Sequence, residues 1–412
     1  MKASWKRVMI SQDYFLLLIS RFISQLGDKM FIPAILWLSL TGEDGSSQRL
    51  GIVSVALVIA PLVSALVGVY VDRLPKKTVM IVSDLLRFLL CVMLFLNQWQ
   101  GGYFWFLVVG VVLIEIIGQF FALSSASMLP SLVKKEELIK ANSFFSTTDT
   151  LTSLIGYSLG GVLITLLGSS MLILLNGVSF ALSGLLLVGL PKAIASIDKQ
   201  VRIGFFQEFA SGLRFTFRSR LLLNLLMMGF ILNTVSASLE MLVTIWSYDV
   251  LDVGATGYGL LNTLIMVGAL VGGLSMNLSF MKQIGVAKLY SGMTVIFGSL
   301  FALMALFDTL WVSMCAFLMV GICFSVTSVS FSTLVMTHVG KSDLGKIFGL
   351  INTVSRGGQP MGISLVTALL LSYSVHSILF SIGAIIALGG VYLLLVLVPT
   401  AKSTAEIRSG LS

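Results

Sequence analysis

Long apolar runs joined by short charged segments dominate this sequence. Residues 51–70 carry no formal charge, and residues 78–96 carry only Asp84 and Arg87. An α-helix rises about 1.5 Å per residue, so each run can cross the roughly 30 Å hydrocarbon core of a bilayer. The segment between these runs is short and basic, which predicts a tight cytoplasmic loop between two membrane-spanning helices.

The composition agrees with a membrane protein. Of the 412 residues, 57% are hydrophobic and 11% are charged, whereas about a quarter are charged in a typical soluble domain. Such a chain cannot cover a water-facing surface with polar groups, but spanning helices satisfy their own backbone hydrogen bonds in lipid. The net charge of +8 lies mainly between the apolar runs, which favours a membrane location over nucleic-acid binding.

We predict an all-α membrane protein with twelve transmembrane helices in two pseudo-symmetric six-helix bundles. The N-terminal half is expected at 1–190, a cytoplasmic amphipathic linker at 191–220, the C-terminal half at 221–398 and a cytoplasmic tail at 399–412. The apolar runs place the helices near 14–40, 50–72, 77–97, 102–129, 143–167, 170–190, 221–248, 255–280, 285–306, 309–337, 344–371 and 375–398.

Basic residues cluster in alternate predicted loops. The intervening loops offer mainly Asp and Glu, with Arg49 as the basic exception. Because basic loops stay in the cytoplasm, this alternation predicts that both termini are cytoplasmic and that the number of spans is even. The basic clusters are Arg73/Lys76/Lys77, Lys134/Lys135/Lys140, the segment from Lys192 to Arg220, Lys282/Lys288, Lys341/Lys346, and Lys402 with Arg408.

The sequence shows no catalytic or cofactor-binding motif. It lacks a glycine-rich phosphate loop followed by Lys-Ser/Thr, so ATP is not the expected energy source. The three cysteines lie inside apolar runs, where packing is their expected role. His338 and His376 are far apart in sequence, so no metal site is expected. We therefore predict that the protein is not an enzyme and binds no cofactor.

Ionisable residues inside the apolar runs are the candidates for function. Charge is costly in lipid, and such side chains usually face a bundle interior or an aqueous cavity. We expect one buried acid to carry a proton or contact substrate; the candidates are Asp28, Glu115, Glu240 and Asp149. Expected cavity residues or ion-pair partners are Arg21, Lys29, Gln119 and Arg356. The alternative is a structural ion pair, such as Asp28 with Arg356 or Lys29.

The segment between the second and third runs carries a family signature. It follows the pattern G-x-x-x-D-R-x-x-[KR]-[KR], with Pro75 where many relatives have Gly, and its members are Gly68, Asp72, Arg73, Lys76 and Lys77. This pattern resembles motif A of the major facilitator superfamily. Residues 129–133 and 140–143 further resemble the macrolide and multidrug efflux branch.

The resemblance implies a role for this motif. In the superfamily, its acid faces the start of the eleventh helix and its basic residues pair with nearby acids. Such a charge–dipole contact would form a conformational latch that holds the cytoplasmic side closed in one state. The alternative for Lys76 and Lys77 is that they only anchor the topology.

Glycines four residues apart mark close helix contacts, because a missing Cβ lets two backbones approach. Gly156 and Gly160 lie in the fifth predicted span, Gly268 and Gly272 in the eighth, and 358–362 in the eleventh. In the resembled superfamily the fifth span meets the eighth, and the second meets the eleventh. Residues 156–161 are similar to the antiporter motif of drug exporters, with a Tyr in place of the usual Pro.

These observations predict a secondary transporter in the plasma (inner) membrane. It would act as a monomer and export a small amphipathic compound, drug- or macrolide-like, in exchange for protons through alternating access between two halves. One alternative is a lysophospholipid flippase of the same superfamily, suggested by the pair at 27–28 and the segment at 140–142. Another is a membrane sensor or assembly partner that transports nothing.

Overall fold

The structure, a computed structural model, describes residues 12–41, 46–71, 74–100, 102–134, 137–190, 214, 216–217, 219–276, 278–339 and 344–409. These residues are almost entirely helical and contain no β-strand. The all-α prediction is therefore confirmed for this part of the chain. Asp72, Arg73 and most of the predicted amphipathic linker lie outside the described residues.

Long helices fill the described part of the N-terminal half. Gly168, at φ 80°, lies between the last two of them, in a backbone conformation that glycine tolerates best. Their bounds are α1 Gln12–Thr41, α2 Ser47–Val71, α3 Lys76–Trp99, α4 Phe104–Leu132, α5 Leu138–Leu167 and α6 Ser169–Val188.

The C-terminal half is also helical, with more interruptions. A π-helical turn at Trp246–Val250 extends its first helix, whose N-terminal Leu222 amide donates to the Ser219 hydroxyl. The bounds are α7 Arg220–Ile245, α8 Gly254–Ser275, α9 Ser279–Ile284, α10 Val286–Met304, α11 Leu310–His338, α12 Leu344–Gly357, α13 Gln359–Leu369 and α14 Val375–Ser409.

Two predicted helices are divided. The span expected at 255–280 ends at Ser275 and is followed by the short α9, and the span expected at 344–371 is interrupted at Gly358 between α12 and α13. Pro360 explains the second break, since its ring nitrogen has no hydrogen to donate to the carbonyl of Arg356.

Nine helices of the described residues are long and apolar enough to cross a membrane. These nine helices are α3, α4, α5, α6, α7, α8, α10, α11 and α14, each over most or all of its length. Helix α1 is 30 residues long but carries Arg21, Asp28 and Lys29, which lower its hydropathy. The protein is therefore a multi-pass membrane protein, as predicted, while the count of twelve spans stays a prediction.

The chain divides into two compact units. The first is Met1–Lys199 with Gly254–Leu260, and the second is Gln200–Val253 with Leu261–Ser412. In the first, α1 packs on α5 and α6, α3 packs on α4 and α6, and α2 packs on α4. In the second, α10 packs on α11 and α14, while α7 packs on α12 and α13.

Candidate functional site

A buried arginine gathers two acids in the first unit. The Arg87 guanidinium on α3 donates to Asp84, one turn earlier on the same helix, and lies 3.4 Å from Asp28 Oδ2 on α1. It also donates to the Ser24 hydroxyl at 3.1 Å. Asn176 on α6 completes the group by donating to Asp28 Oδ1 at 3.5 Å. We call these five residues the Arg87 cluster.

Aromatic rings and a glycine shape the surroundings of this cluster. The guanidinium carbon of Arg87 lies 4.0 Å from the ring centre of Phe180 and 4.9 Å from that of Phe121, within cation–π range. Beside Asp28, a Cβ on Gly27 would lie 2.1 Å from the Ser179 hydroxyl on α6. The absence of that Cβ lets α1 approach α6 closely enough for Asn176 to contact Asp28.

The charges of the cluster do not balance. Asp28 and Asp84 together carry two negative charges when ionised, against one positive charge on Arg87, so one bound proton makes the three residues neutral. The Asp84 side chain is fully buried, whereas that of Asp28 is 28% exposed. Asp28 is therefore the more accessible acid of the pair. Lys29 follows it on α1, and its ammonium lies 5.8 Å from the ring centre of Tyr157.

A second ion pair joins α1 to α5. Arg21 contacts both carboxylate oxygens of Asp149, at 3.0 and 3.2 Å, and donates to the Ser125 hydroxyl on α4 at 3.0 Å. Its guanidinium also lies 4.9 Å from the ring centre of Phe145. The Asp149 side chain is 48% exposed, so this pair is far less buried than the Arg87 cluster.

The sequence did not predict how these charges pair. The alternative role for Asp28 was an ion pair with Arg356 or Lys29; the structure instead pairs Asp28 with Arg87, because helix packing brings α3 against that face of α1. Arg87 and Asp84 were absent from the predicted site. The available signal was their spacing of three residues inside an otherwise apolar run, since such residues share one face of a helix. Glu115 and Gln119 are half-buried on α4.

The second unit contains a cavity of about 410 Å³. Among the described residues, its wall combines apolar and aromatic side chains with several hydroxyl groups and the cation Arg356 on α12. Glu240 is half-buried on α7, one turn beyond Ser236, and is not one of the lining residues. The cavity is lined by Gly229, Leu232, Asn233 and Ser236 of α7, Tyr290, Thr294 and Phe297 of α10, Phe324, Thr327, Ser328, Phe331 and Ser332 of α11, and Ile351, Ser355 and Arg356 of α12.

The predicted glycines lie against other helices, but their partners differ from those expected. A Cβ on Gly156 would lie 2.4 Å from the Cβ of Lys29, and one on Gly160 would lie 3.3 Å from Pro33, so both face α1. Gly161 is the residue of this stretch that faces the start of α8, where its Cβ would be 2.5 Å from the carbonyl oxygen of Ala255.

The glycines of the second unit also have unexpected partners. A Cβ on Gly268 would lie 2.0 Å from the carbonyl oxygen of Leu318, and one on Gly272 would lie 2.6 Å from that of Ile322, so both face α11 rather than the fifth span. In the eleventh predicted span, Gly362 faces α7, where its Cβ would be 1.9 Å from the Thr234 carbonyl oxygen. The spacing of glycines in the sequence predicts which face of a helix can pack closely, but it does not predict which helix packs there.

The lysines of the motif A segment contact helix ends. Lys77 donates to the carbonyl of Val188 at 2.7 Å and also to that of Leu190, at the C-terminus of α6. A cation at this position is favourable because helix carbonyls leave negative charge there. Lys76 donates to the carbonyl of Val71, at the end of α2, which also contains Gly68.

The fold and the site define a class of protein: a multi-pass helical membrane protein with charge buried between its helices. Comparison of sequences then gives the family. The sequence model of the Major Facilitator Superfamily matches residues 17–363. The chain belongs to the Major Facilitator Superfamily, and it is accordingly a transporter rather than an enzyme.

Two relatives illustrate the similarity. The uncharacterized MFS-type transporter YvqJ of Bacillus subtilis is 21% identical over 393 residues, which cover 94% of this chain and 90% of YvqJ. The proposed bacilysin exporter BacE of Bacillus subtilis is 26% identical over 203 residues, covering 48% of this chain and 49% of BacE.

Solved structures share the fold. The nucleoside transporter NupG superposes with a TM-score of 0.74 at 12% identity, covering 93% of this chain and 99% of NupG. A bacterial homologue of the iron transporter ferroportin, in an inward-facing state, superposes with a TM-score of 0.71 at 16% identity. The match covers 93% of this chain and 98% of the homologue.

Proposed function

We propose that this transporter exports an amphipathic compound across the plasma membrane in exchange for protons, acting as a monomer with both termini in the cytoplasm. The observation that carries the proposal is the Arg87 cluster, where two acids compete for one guanidinium deep among apolar helices. An exporter driven by a proton gradient needs a group that holds a proton in one state and releases it in another.

Asp28 is the proton-carrying residue in this proposal. Its carboxylate is partly exposed, touches Arg87 and Asn176, and follows Gly27, where α1 lies close against α6. Protonation of Asp28 removes its attraction for Arg87 and leaves Asp84 as the only ionised partner. Because α1 and α3 are joined by this pair, loss of the attraction changes the contact between two helices. Proton binding would thereby favour one state of the transporter over the other.

The second unit supports an amphipathic substrate. Its cavity joins Phe297, Phe324 and Phe331 to hydroxyl groups and Arg356, a mixture that accommodates an apolar body and a polar group together. Similarity to a proposed bacilysin exporter supports the outward direction of transport.

Transport into proteoliposomes with an imposed pH gradient tests the proposal. The compounds are a macrolide, a cationic dye and a lysophospholipid, each measured with and without the gradient. Asp28→Asn keeps the shape of the side chain but cannot release a proton, so we expect gradient-driven transport to be lost while exchange at equal pH is retained. Asp308→Asn is the matched control, since Asp308 pairs with His376 in the second unit and is not part of the Arg87 cluster.

Three results would change the conclusion. Full gradient-driven transport by Asp28→Asn would remove Asp28 as the proton carrier. Movement of the lysophospholipid alone would support the flippase alternative. Transport of none of the compounds by the wild-type protein, under any gradient, would favour the sensor or assembly partner.

A further inference from the structure

Arg356 lines the cavity of the second unit, and none of the described residues that line the cavity provides it with a counter-charge. The Arg356 side chain is exposed to the cavity, and within the described residues it forms no ion pair or hydrogen bond. None of the described residues that line the cavity is an Asp or a Glu. The wall therefore carries a net positive charge, which repels a cationic ligand and attracts an anionic one.

Three buried hydroxyl groups in the same wall also lack partners. Tyr290, Thr327 and Ser355 are 1%, 8% and 3% exposed, and their hydroxyl oxygens make no hydrogen bond to any described residue. A buried polar group without a partner is destabilising, so a ligand that accepts hydrogen bonds from these groups removes that cost when it binds. Hydroxyl groups and a guanidinium can all donate, and an anion accepts from each of them.

Two other polar groups of the wall already donate hydrogen bonds to the backbone. The Thr294 hydroxyl donates to the carbonyl of Tyr290, and the Asn233 amide donates to that of Gly229. The buried hydroxyls without a partner are those of Tyr290, Thr327 and Ser355; together with Arg356 they belong to three helices that share the cavity, and the hydroxyls of Ser236 and Ser328 also line it. Aromatic side chains, including Phe331, whose ring centre lies 5.9 Å from that of Tyr290, provide the apolar part of the same wall.

We infer that this cavity binds an amphipathic compound through an anionic group, with Arg356 as the counter-charge and the three hydroxyls as additional donors. The inference rests on the proposed function, because it names the chemical class of the substrate of that transporter. It places cationic dyes outside the preferred class. A soluble organic anion and the phosphate of a lysophospholipid share the required chemistry.

Equilibrium binding to the full chain in phosphatidylcholine nanodiscs, without a pH gradient, tests the inference. The radiolabelled probes are naphthylacetate, its cationic counterpart naphthylmethyl-trimethylammonium, and lysophosphatidylglycerol, each corrected for binding to empty nanodiscs. We expect at least one of the two anionic probes to bind more tightly than the cation. Tight binding of naphthylacetate identifies a soluble anion as the source of the anionic group, and binding of lysophosphatidylglycerol alone identifies a lipid.

Substitutions show whether the binding occurs in this cavity. We expect Arg356→Gln to bind the anionic probe about ten- to hundredfold more weakly, because the substitution removes a hydrogen-bonded charge pair. Arg356→Lys should retain most of the binding. Tyr290→Phe removes one hydroxyl and is expected to weaken binding by about fivefold. The matched control is Lys288→Gln, which removes an exposed positive charge of α10 outside the cavity and should change nothing.

The outcomes separate this inference from the proposed function. Equal or tighter binding of the cation overturns the inference, as does unchanged anion affinity in both Arg356→Gln and Tyr290→Phe, even when proton-driven transport is intact. Anion binding that needs Arg356 but is accompanied by no gradient-driven transport supports the inference and refutes the proton antiport.

Discussion

Removal of Arg87 is the sharpest test of the Arg87 cluster. Its side chain is 3% exposed and contacts Asp84, which is fully buried, and Asp28, which is 28% exposed. Breaking a buried ion pair by removing one partner typically costs about 3–5 kcal/mol, because a buried charge is left uncompensated. We therefore expect Arg87→Met to lower the free energy of unfolding by about 3–5 kcal/mol.

Neutralising the acids as well should restore most of this loss. The triple variant Arg87→Met, Asp28→Asn, Asp84→Asn leaves no buried charge and is expected within about 1–2 kcal/mol of the wild type. Arg21→Met provides the control, since its partner Asp149 is 48% exposed and the expected loss is about 1 kcal/mol or less.

The measurement is unfolding in dodecylmaltoside micelles with increasing SDS, followed by tryptophan fluorescence. If the triple variant were as unstable as Arg87→Met, the cost would come from lost packing of the arginine against its two aromatic neighbours. The argument from unbalanced charge would then fail.

Two further stability predictions concern the second unit, and the same unfolding measurement checks both. Gly268→Ala is expected to lower the free energy of unfolding by about 1–3 kcal/mol, because the new Cβ would lie 2.0 Å from the Leu318 carbonyl oxygen. The control is Gly292→Ala, whose new Cβ would have no atom within 4 Å. This control should be neutral or stabilising by up to about 1 kcal/mol. Equal effects of the two would show that steric contact is not what fixes glycine at position 268. Ser313→Ala is expected to cost about 1–3 kcal/mol, since it removes the acceptor at 3.0 Å for the buried Trp246 indole N–H; unchanged stability would show that this hydrogen bond contributes nothing.

Helical membrane structure could be predicted from the sequence because the bilayer imposes it locally. A run of about 20 apolar residues must form a helix to satisfy its backbone in lipid, whatever its neighbours are. The positions of most helices were therefore predictable to within a few residues. Exceptions are spans that a local feature such as Pro360 divides, and α14, which continues to Ser409 although its predicted end was at 398.

The tertiary structure alone decided which side chains meet. Asp28 and Arg87 are 59 residues apart in the chain, and their contact depends on how α1, α3 and α6 pack, which the apolar pattern of each helix leaves open. The same holds for the glycines: their spacing predicts a helix face that can pack closely, but not which helix packs against it. It also holds for the cavity, whose wall comes from α7, α10, α11 and α12. The sequence of each helix shows which charged residues lie within the apolar span, because the bilayer fixes the length of that span. Which of these charges form pairs depends on how the helices pack together.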